Sequence, residues 1–171
     1  NRQKPTRRVV DAVAEFKGKL AHLVLAGSSS GCDGAILEDA RQRLGERFHW
    51  LPDVDHARMP ALYAAADLFV LASPAEIFGI AFLEAMASGI PCVGHTYPVT
   101  QWIIGDGGIC VDMTKAGALG GVLRLADDPT WRENRGCAAR ARVEALFSEA
   151  VVVEQIIGMY GMVMGSKDSA Q

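Results

Sequence analysis

Glu76 and Glu84 are the only formally charged residues between Asp67 and Asp106, with histidine taken as neutral, and seven residues separate them. The neighbours are almost all apolar or small, and a carboxylate in such surroundings costs free energy unless something hydrogen-bonds it. An ionised carboxylate only accepts hydrogen bonds, so the natural partners are donors, and a ligand's hydroxyls meet that need. Between the two acids lies Phe78-Gly79-Ile80, where the sequence predicts a helix start with unpaired N–H groups. A helix start favours an anion through its dipole and its free donors. Gly79 has no side chain to block an approaching ligand. The chemistry on offer is therefore recognition of hydroxyls on either side of an anionic group. An ordinary buried βα unit would use the same residues differently, with Glu84 paired to a nearby arginine and Glu76 solvated.

The elements that must position these residues are legible around them. Asp67–Ala72 (DLFVLA) is a brief apolar run that reads as a buried strand. Ser73–Phe78 is a loop, and Gly79–Ser88 a helix that stops at Gly89 and Pro91. Pro91–His95 begins the next strand. Glu76 precedes the helix, and Glu84 lies one turn beyond Ile80 on the same face.

The 171 residues suit one domain. Half are hydrophobic and 22% charged, which fits a globular chain. The net charge of −3 makes no case for nucleic acid as a partner. No apolar run approaches a membrane span and no signal peptide is visible, so we expect no integral membrane segment. Cys32, Cys92, Cys110 and Cys137 form no C-x-x-C pair. This points to reduced thiols in a cytoplasmic protein rather than a disulfide framework or zinc site.

Ahead of the central stretch, Arg7–Phe16 reads as a helix with Thr6 as its cap. Arg2, Lys4, Arg7 and Arg8 crowd its start, where cations are disfavoured by the dipole, which suggests an anion between them. A solvated basic turn is the alternative. Leu20–Ala26 and Phe48–Leu51 are strands, and Ile36–Leu44 and Met59–Ala66 helices. Gly27–Gly34 is a glycine-serine turn, neither a P-loop nor G-x-G-x-x-G. Behind the central stretch, Ile109–Asp112 is a strand. It is followed by helices at Gly117–Ala126, Pro129–Leu146 and Glu149–Val163. The last is very apolar and is expected to pack on this domain and to reach another in a parent protein. Residues 166–171 read as a disordered tail, leaving 1–165 as the domain.

Strands alternating with helices imply a Rossmann-like, doubly wound parallel sheet with helices on both faces. A first strand is expected just before Arg2, truncated or upstream of the chain. That makes six strands in the expected order 3-2-1-4-5-6. Strands one and four would then flank the point where the order reverses, and such crevices bind ligands. Cations after strand one would meet the glutamates and helix start after strand four. Cations and amides suit a diphosphate, and carboxylates suit sugar and ribose hydroxyls.

The run Ser73–Val93, S-x-x-E-x-F-G-I-x-x-L-E-A-M-A-x-G-x-P-x-V, closely resembles the signature of retaining glycosyltransferases of the GT-B fold, group 1. Glu76 and Glu84 match that family's E-x7-E motif, and Leu62-Tyr63 with the following alanines and Asp67 resembles its L-Y-x-x-A-D. The resemblance implies the donor-binding half of an enzyme that transfers a glycosyl group from a nucleoside-diphosphate sugar with retained configuration. It further implies that Glu76 is the catalytic-site residue holding the transferred sugar's hydroxyls, that Glu84 holds the ribose, and that Phe78 joins them as a sugar- or ribose-binding residue. Arg2, Arg7 and the amides of Gly79 and Ile80 would hold the donor phosphates. Arg7 falls where the family has lysine, and arginine brings a different, bidentate geometry. Lys4 is the other candidate there. Pro52 stands where glycine is usual, and Gly94–Ile104 lacks the family's G-G-x-x-E-V. The resemblance implies no metal and no cofactor. It assigns the acceptor to an N-terminal domain of a longer parent chain, leaving this part inactive alone and any membrane contact to that domain. The alternative is a non-catalytic nucleotide or nucleotide-sugar binding domain. An epimerase of the same architecture is disfavoured by E-x7-E.

Overall fold

A computed structural model describes residues 5–18 and 20–165. Arg2, Lys4, the strand expected before Arg2 and the tail 166–171 lie outside the described residues.

The chain alternates helices and parallel strands. Helix α1 (Pro5–Glu15) leads to β1 (Leu23–Gly27), α2 (Gly34–Leu44), β2 (Phe48–Pro52) and α3 (Met59–Ala64). Then come β3 (Phe69–Val70), α4 (Ile80–Ala87), β4 (Cys92–His95), α5 (Pro98–Ile104) and β5 (Gly108–Val111). Helices α6 (Ala118–Ala126), α7 (Pro129–Leu146) and α8 (Glu149–Gly165) close the chain. Thr6 sits inside α1 rather than capping it, with Pro5 at the first position. Proline is well suited there because its missing N–H would be unpaired in any case.

Among the described residues the strands form two parallel sheets, β1–β2 and β3–β4–β5. Leu23 aligns with Phe48, Phe69 with Cys92, and Cys92 with Gly108. Within each sheet the neighbours are those of the expected order. The expected junction between the two halves rests on the strand outside the described residues. Helix α1 bridges the halves. Val10 and Val13 pack with Ile36, Leu37 and Phe48 over β1–β2, while Val9 and Ala12 pack with Val70, Val93 and Met113 over the other sheet. A third cluster joins α4, β4, α5 and α7 through Phe82, Met86, Cys92, Ile103 and Ala139. Helix α7 lies close on the end of α4, since a Cβ on Gly136 would stand 2.1 Å from the Gly89 carbonyl oxygen. The four cysteines are free.

Two expectations need correction, those for β3 and α8. Strand β3 pairs over two residues rather than six. Its ladder is short, though Phe69 and Leu71 still donate to the carbonyls of Pro91 and Val93. The segment after β4, which shows no family motif, is a helix, α5. Pro98 occupies its first turn, and Thr100, Ile103 and Ile104 form a buried face at helical spacing. Helix α8 does not pack on the domain as expected. Val152, Ile156, Met159, Tyr160 and Val163 are all exposed. By length and composition alone, one window within the helical stretch Pro129–Met164 is apolar enough to count as a candidate membrane span.

Candidate functional site

The site is built around the start of α4. Gly79 precedes it with φ +67, a left-handed conformation that a side chain strains. A Cβ there would also stand 2.8 Å from the Phe82 ring. No side chain caps the helix. Among the described residues, the amides of Phe78, Gly79 and Ile80 find no partner, while Phe82 donates back to the Gly79 carbonyl at 2.8 Å. The free donors the sequence predicts at this turn are therefore present.

An aromatic chain in the core sets the height of this turn. Phe82 packs edge-on against Phe69, and Phe69 edge-on against Tyr63, with centroids 5.8 and 5.6 Å apart. Tyr63, on α3, is buried, and its hydroxyl donates to Glu84 Oε2 at 2.9 Å. A buried tyrosine commonly seeks such a partner. Burial, and then the hydrogen bond to Glu84, push the phenol well above its ordinary range, so it stays a proton donor. Glu84 thus has a hydroxyl partner where the structural reading of the sequence supplied an arginine. The other oxygen, Oε1, lies 3.9 Å from His56 Nδ1. His56 is 86% exposed on a short 3-10 turn that runs into α3.

Glu76 is half-buried and, among the described residues, makes no hydrogen bond or ion pair. Phe78 is 42% exposed and meets Phe147 edge-on, while Ile77 and Ile80 project into solvent. Glu76, Phe78, Gly79 and Ile80 therefore lie at or just before the start of α4, and Glu84 lies one turn inside the same helix. The structure does not bring Arg7 into hydrogen-bonding contact with them. Arg7 pairs with Asp39 on α2 at 3.3 Å, and Asp39 also pairs with Arg43 at 3.4 Å. Asp11 completes this network by accepting from Arg43. His95 is structural, its Nδ1 accepting the Met113 amide at 3.1 Å. Reading the sequence missed Tyr63 and His56 as neighbours of Glu84. A polar aromatic at the end of a helix feeding the signature strand was the available signal, but its partner is 21 residues away.

The glycine-serine turn is tied down. Asp53, at φ +47, accepts the Ser29 amide at 3.1 Å and donates its own to the Gly27 carbonyl. Hydrogen bonding from the Ser29 hydroxyl, and then from its amide, holds the Asp53 carboxyl below the usual range. A cavity of about 270 Å³ lies beside it, lined by Thr6, Gly27, Ser28, Cys32 and Trp50 among others. A groove of about 950 Å³ runs along α1 and α6 past Arg8, Lys115 and Arg124 and includes neither Glu76 nor Glu84. The paired acids and free amides carry more chemistry than that mixed-charge groove, and the site is assigned to them.

Residues 1–142 match the family described as Glycosyl transferases group 1. The chain belongs to the group 1 glycosyltransferases. Among curated relatives of this family, a GDP-mannose-dependent alpha-(1-6)-phosphatidylinositol dimannoside mannosyltransferase of Mycobacterium tuberculosis is 34% identical over 141 residues. That alignment covers 81% of this chain and 36% of the relative. O-antigen chain mannosyltransferase B of Escherichia coli is 38% identical over 118 residues, covering 65% of this chain and 30% of the relative. Among solved structures, sucrose-phosphate synthase from Thermosynechococcus elongatus superposes with a TM-score of 0.81 at 30% identity, over 97% of this chain and 44% of that one. HepE from Anabaena, solved with UDP and glucose, has the same fold with a TM-score of 0.77 at 22% identity, over 92% of this chain and 45% of that one. The group 1 chain described here thus spans less than half the length of these relatives. Its mixed α/β architecture of parallel strands and helices is that of the GT-B glycosyltransferases.

Proposed function

We propose that this chain is the donor-binding half of a retaining glycosyltransferase and binds a nucleoside-diphosphate sugar at the start of α4. The observation that carries the reading is the pairing of an uncapped, glycine-started helix with a half-buried carboxylate, Glu76, that has no partner among the described residues. The free amides of Phe78, Gly79 and Ile80 take the diphosphate, whose charge the helix dipole favours. Glu76 receives the hydroxyls of the transferred sugar, and Glu84 receives the ribose. As the nucleoside diphosphate leaves, its growing negative charge meets donors already in position, which is how a fixed electrostatic site lowers a barrier. Arg2 is assigned to the same phosphates from the family pattern. Arg7 joins them by exchanging Asp39 for phosphate; its side chain is 38% exposed and has room to do so. HepE's complexes with UDP support the ligand class, as does the GDP-mannose dependence of the mycobacterial relative.

The acceptor is assigned to an N-terminal domain of a longer parent chain, and the reaction to the cytoplasm. The test is a thermal-shift screen of this chain with UDP-, GDP- and ADP-sugars, followed by a transfer assay. A ligand that binds only the folded state raises the melting temperature. We expect one nucleotide class to do so and the chain alone to transfer no sugar. Failure of every nucleotide to shift the melting curve overturns the donor-site reading, and robust transfer by the chain alone overturns the division between two domains.

A further inference from the structure

Glu84 is gripped on one side only. Tyr63 Oη holds Oε2 at 2.9 Å, and Oε1 is left facing His56 Nδ1 across 3.9 Å. That gap exceeds a normal hydrogen bond. The two partners come from one continuous run. His56 opens a 3-10 turn whose start is fixed by the Asp55 carboxylate accepting the Ala57 amide at 2.9 Å. The turn passes directly into α3, which carries Tyr63 seven residues later. Two helical turns separate them, so both side chains address the same carboxylate from one face. Phe69 wedges Tyr63 from behind, edge-on at 5.6 Å, and the hydroxyl has little freedom to leave Oε2.

We propose that Tyr63 is a positioning residue and His56 a ligand-contacting residue of a site for two vicinal hydroxyls, the 2′,3′-diol of the bound nucleotide. This rests on the reading of Glu84 as the ribose group. Tyr63 occupies Oε2 and so turns Oε1 to the open side of the site. One hydroxyl donates to Oε1. Its neighbour reaches His56 Nδ1, which accepts or donates according to its tautomer. The 3.9 Å between the two groups leaves both of them able to engage one diol. A carboxylate free to rotate would serve the first hydroxyl without fixing the position of the second.

The experiment compares UDP and GDP with 2′-deoxy-UDP and 2′-deoxy-GDP, titrated into the 171-residue chain by calorimetry. Four proteins are compared: the natural sequence, Tyr63→Phe, His56→Ala and Glu84→Gln. The natural sequence is expected to favour the ribonucleotide over its deoxy form by roughly tenfold. Tyr63→Phe keeps the buried ring, and His56→Ala changes only an exposed side chain, so both variants fold. Each is expected to reduce that preference to about threefold or less, mainly by weakening the ribonucleotide. If Glu84→Gln abolishes the preference while Tyr63→Phe and His56→Ala retain it, Glu84 acts alone and the proposal falls. If Tyr63→Phe lowers the melting temperature but leaves the preference intact, the tyrosine is structural and the proposal falls too. If Glu84→Gln leaves the preference unchanged, the ribose reading itself fails and takes this proposal with it.

Discussion

At the scale of single residues, the two glutamates differ in what holds them. Glu84 is hydrogen-bonded by Tyr63, while Glu76 has no partner among the described residues. Hydrogen bonds to a charged group contribute on the order of 1.5–3 kcal/mol, about tenfold to a hundredfold in affinity. Glu84→Ala is therefore expected to weaken the free nucleoside diphosphate and the nucleotide sugar alike. Glu76→Ala is expected to weaken the nucleotide sugar and leave the free diphosphate nearly unchanged. Titration of both variants with both ligands decides it, and equal losses throughout would defeat the division. Glu84→Ala also leaves the buried Tyr63 hydroxyl without its acceptor, so its unliganded melting temperature should fall more than that of Glu76→Ala. Gly79→Ala is a different case. It forces a side chain into a left-handed conformation and against Phe82. A cost of about 1–2 kcal/mol from the backbone alone is expected, visible in denaturant unfolding as well as in weaker diphosphate binding.

At the scale of elements, helices α7 and α8 are alike in being long and carrying internal glycines, yet their environments are opposite. Gly136 in α7 sits against the end of α4, 2.1 Å from the Gly89 oxygen if given a Cβ, whereas a Cβ on Gly158 in α8 meets nothing within 4 Å. Gly136→Ala must push α7 away from the helix that carries Glu84, and overpacking of this kind costs about 1–3 kcal/mol. Gly158→Ala gains helix propensity without a clash and is expected to stabilise by roughly 0.5–1 kcal/mol. Urea unfolding of both variants measures the contrast. A destabilising Gly158→Ala would mean that α8 is packed in solution. Because α4 positions Glu84 from its own face, Gly136→Ala should also disturb nucleotide binding, while Gly158→Ala should not.

At the scale of the whole molecule, the proposed neutralisation of the diphosphate comes from backbone amides, the α4 dipole and arginines. Binding is therefore expected to survive in EDTA. Calorimetry of the diphosphate with and without the chelator is the measurement, and complete loss of affinity on chelation would sink the idea. Helix α1 gives the molecule its second point of organisation, since its two faces join the β1–β2 half to the β3–β4–β5 half. The Arg7–Asp39–Arg43–Asp11 network fastens the same helix to α2. These side chains are partly exposed, where ion pairs contribute little. Arg7→Ala should accordingly change stability by less than about 1 kcal/mol and show its effect, if the phosphate role holds, in diphosphate affinity. Unchanged affinity for the diphosphate would remove Arg7 from the site.

What the sequence by itself determined is local. The alternation of strands and helices, the glycine-started α4, the two acids around it and the stop at Gly89 are written in short-range signals, because propensities, caps and apolar periods act within a few residues. The family signature between Ser73 and Val93 runs through one loop, helix α4 and the first residues of β4. What the tertiary structure decided depends on contacts between distant segments. Tyr63 rather than an arginine meets Glu84, because α3 and α4 pack side by side and put a phenol, not a guanidinium, over that carboxylate. Arg7 turns to α2 because Asp39 and Arg43 lie within its reach. Helix α5 became definite once Ile103 and Ile104 were buried under α4 and α7. Hydrophobicity says that the apolar surface of α8 prefers cover, and only the arrangement of the other elements shows that most of it is left exposed.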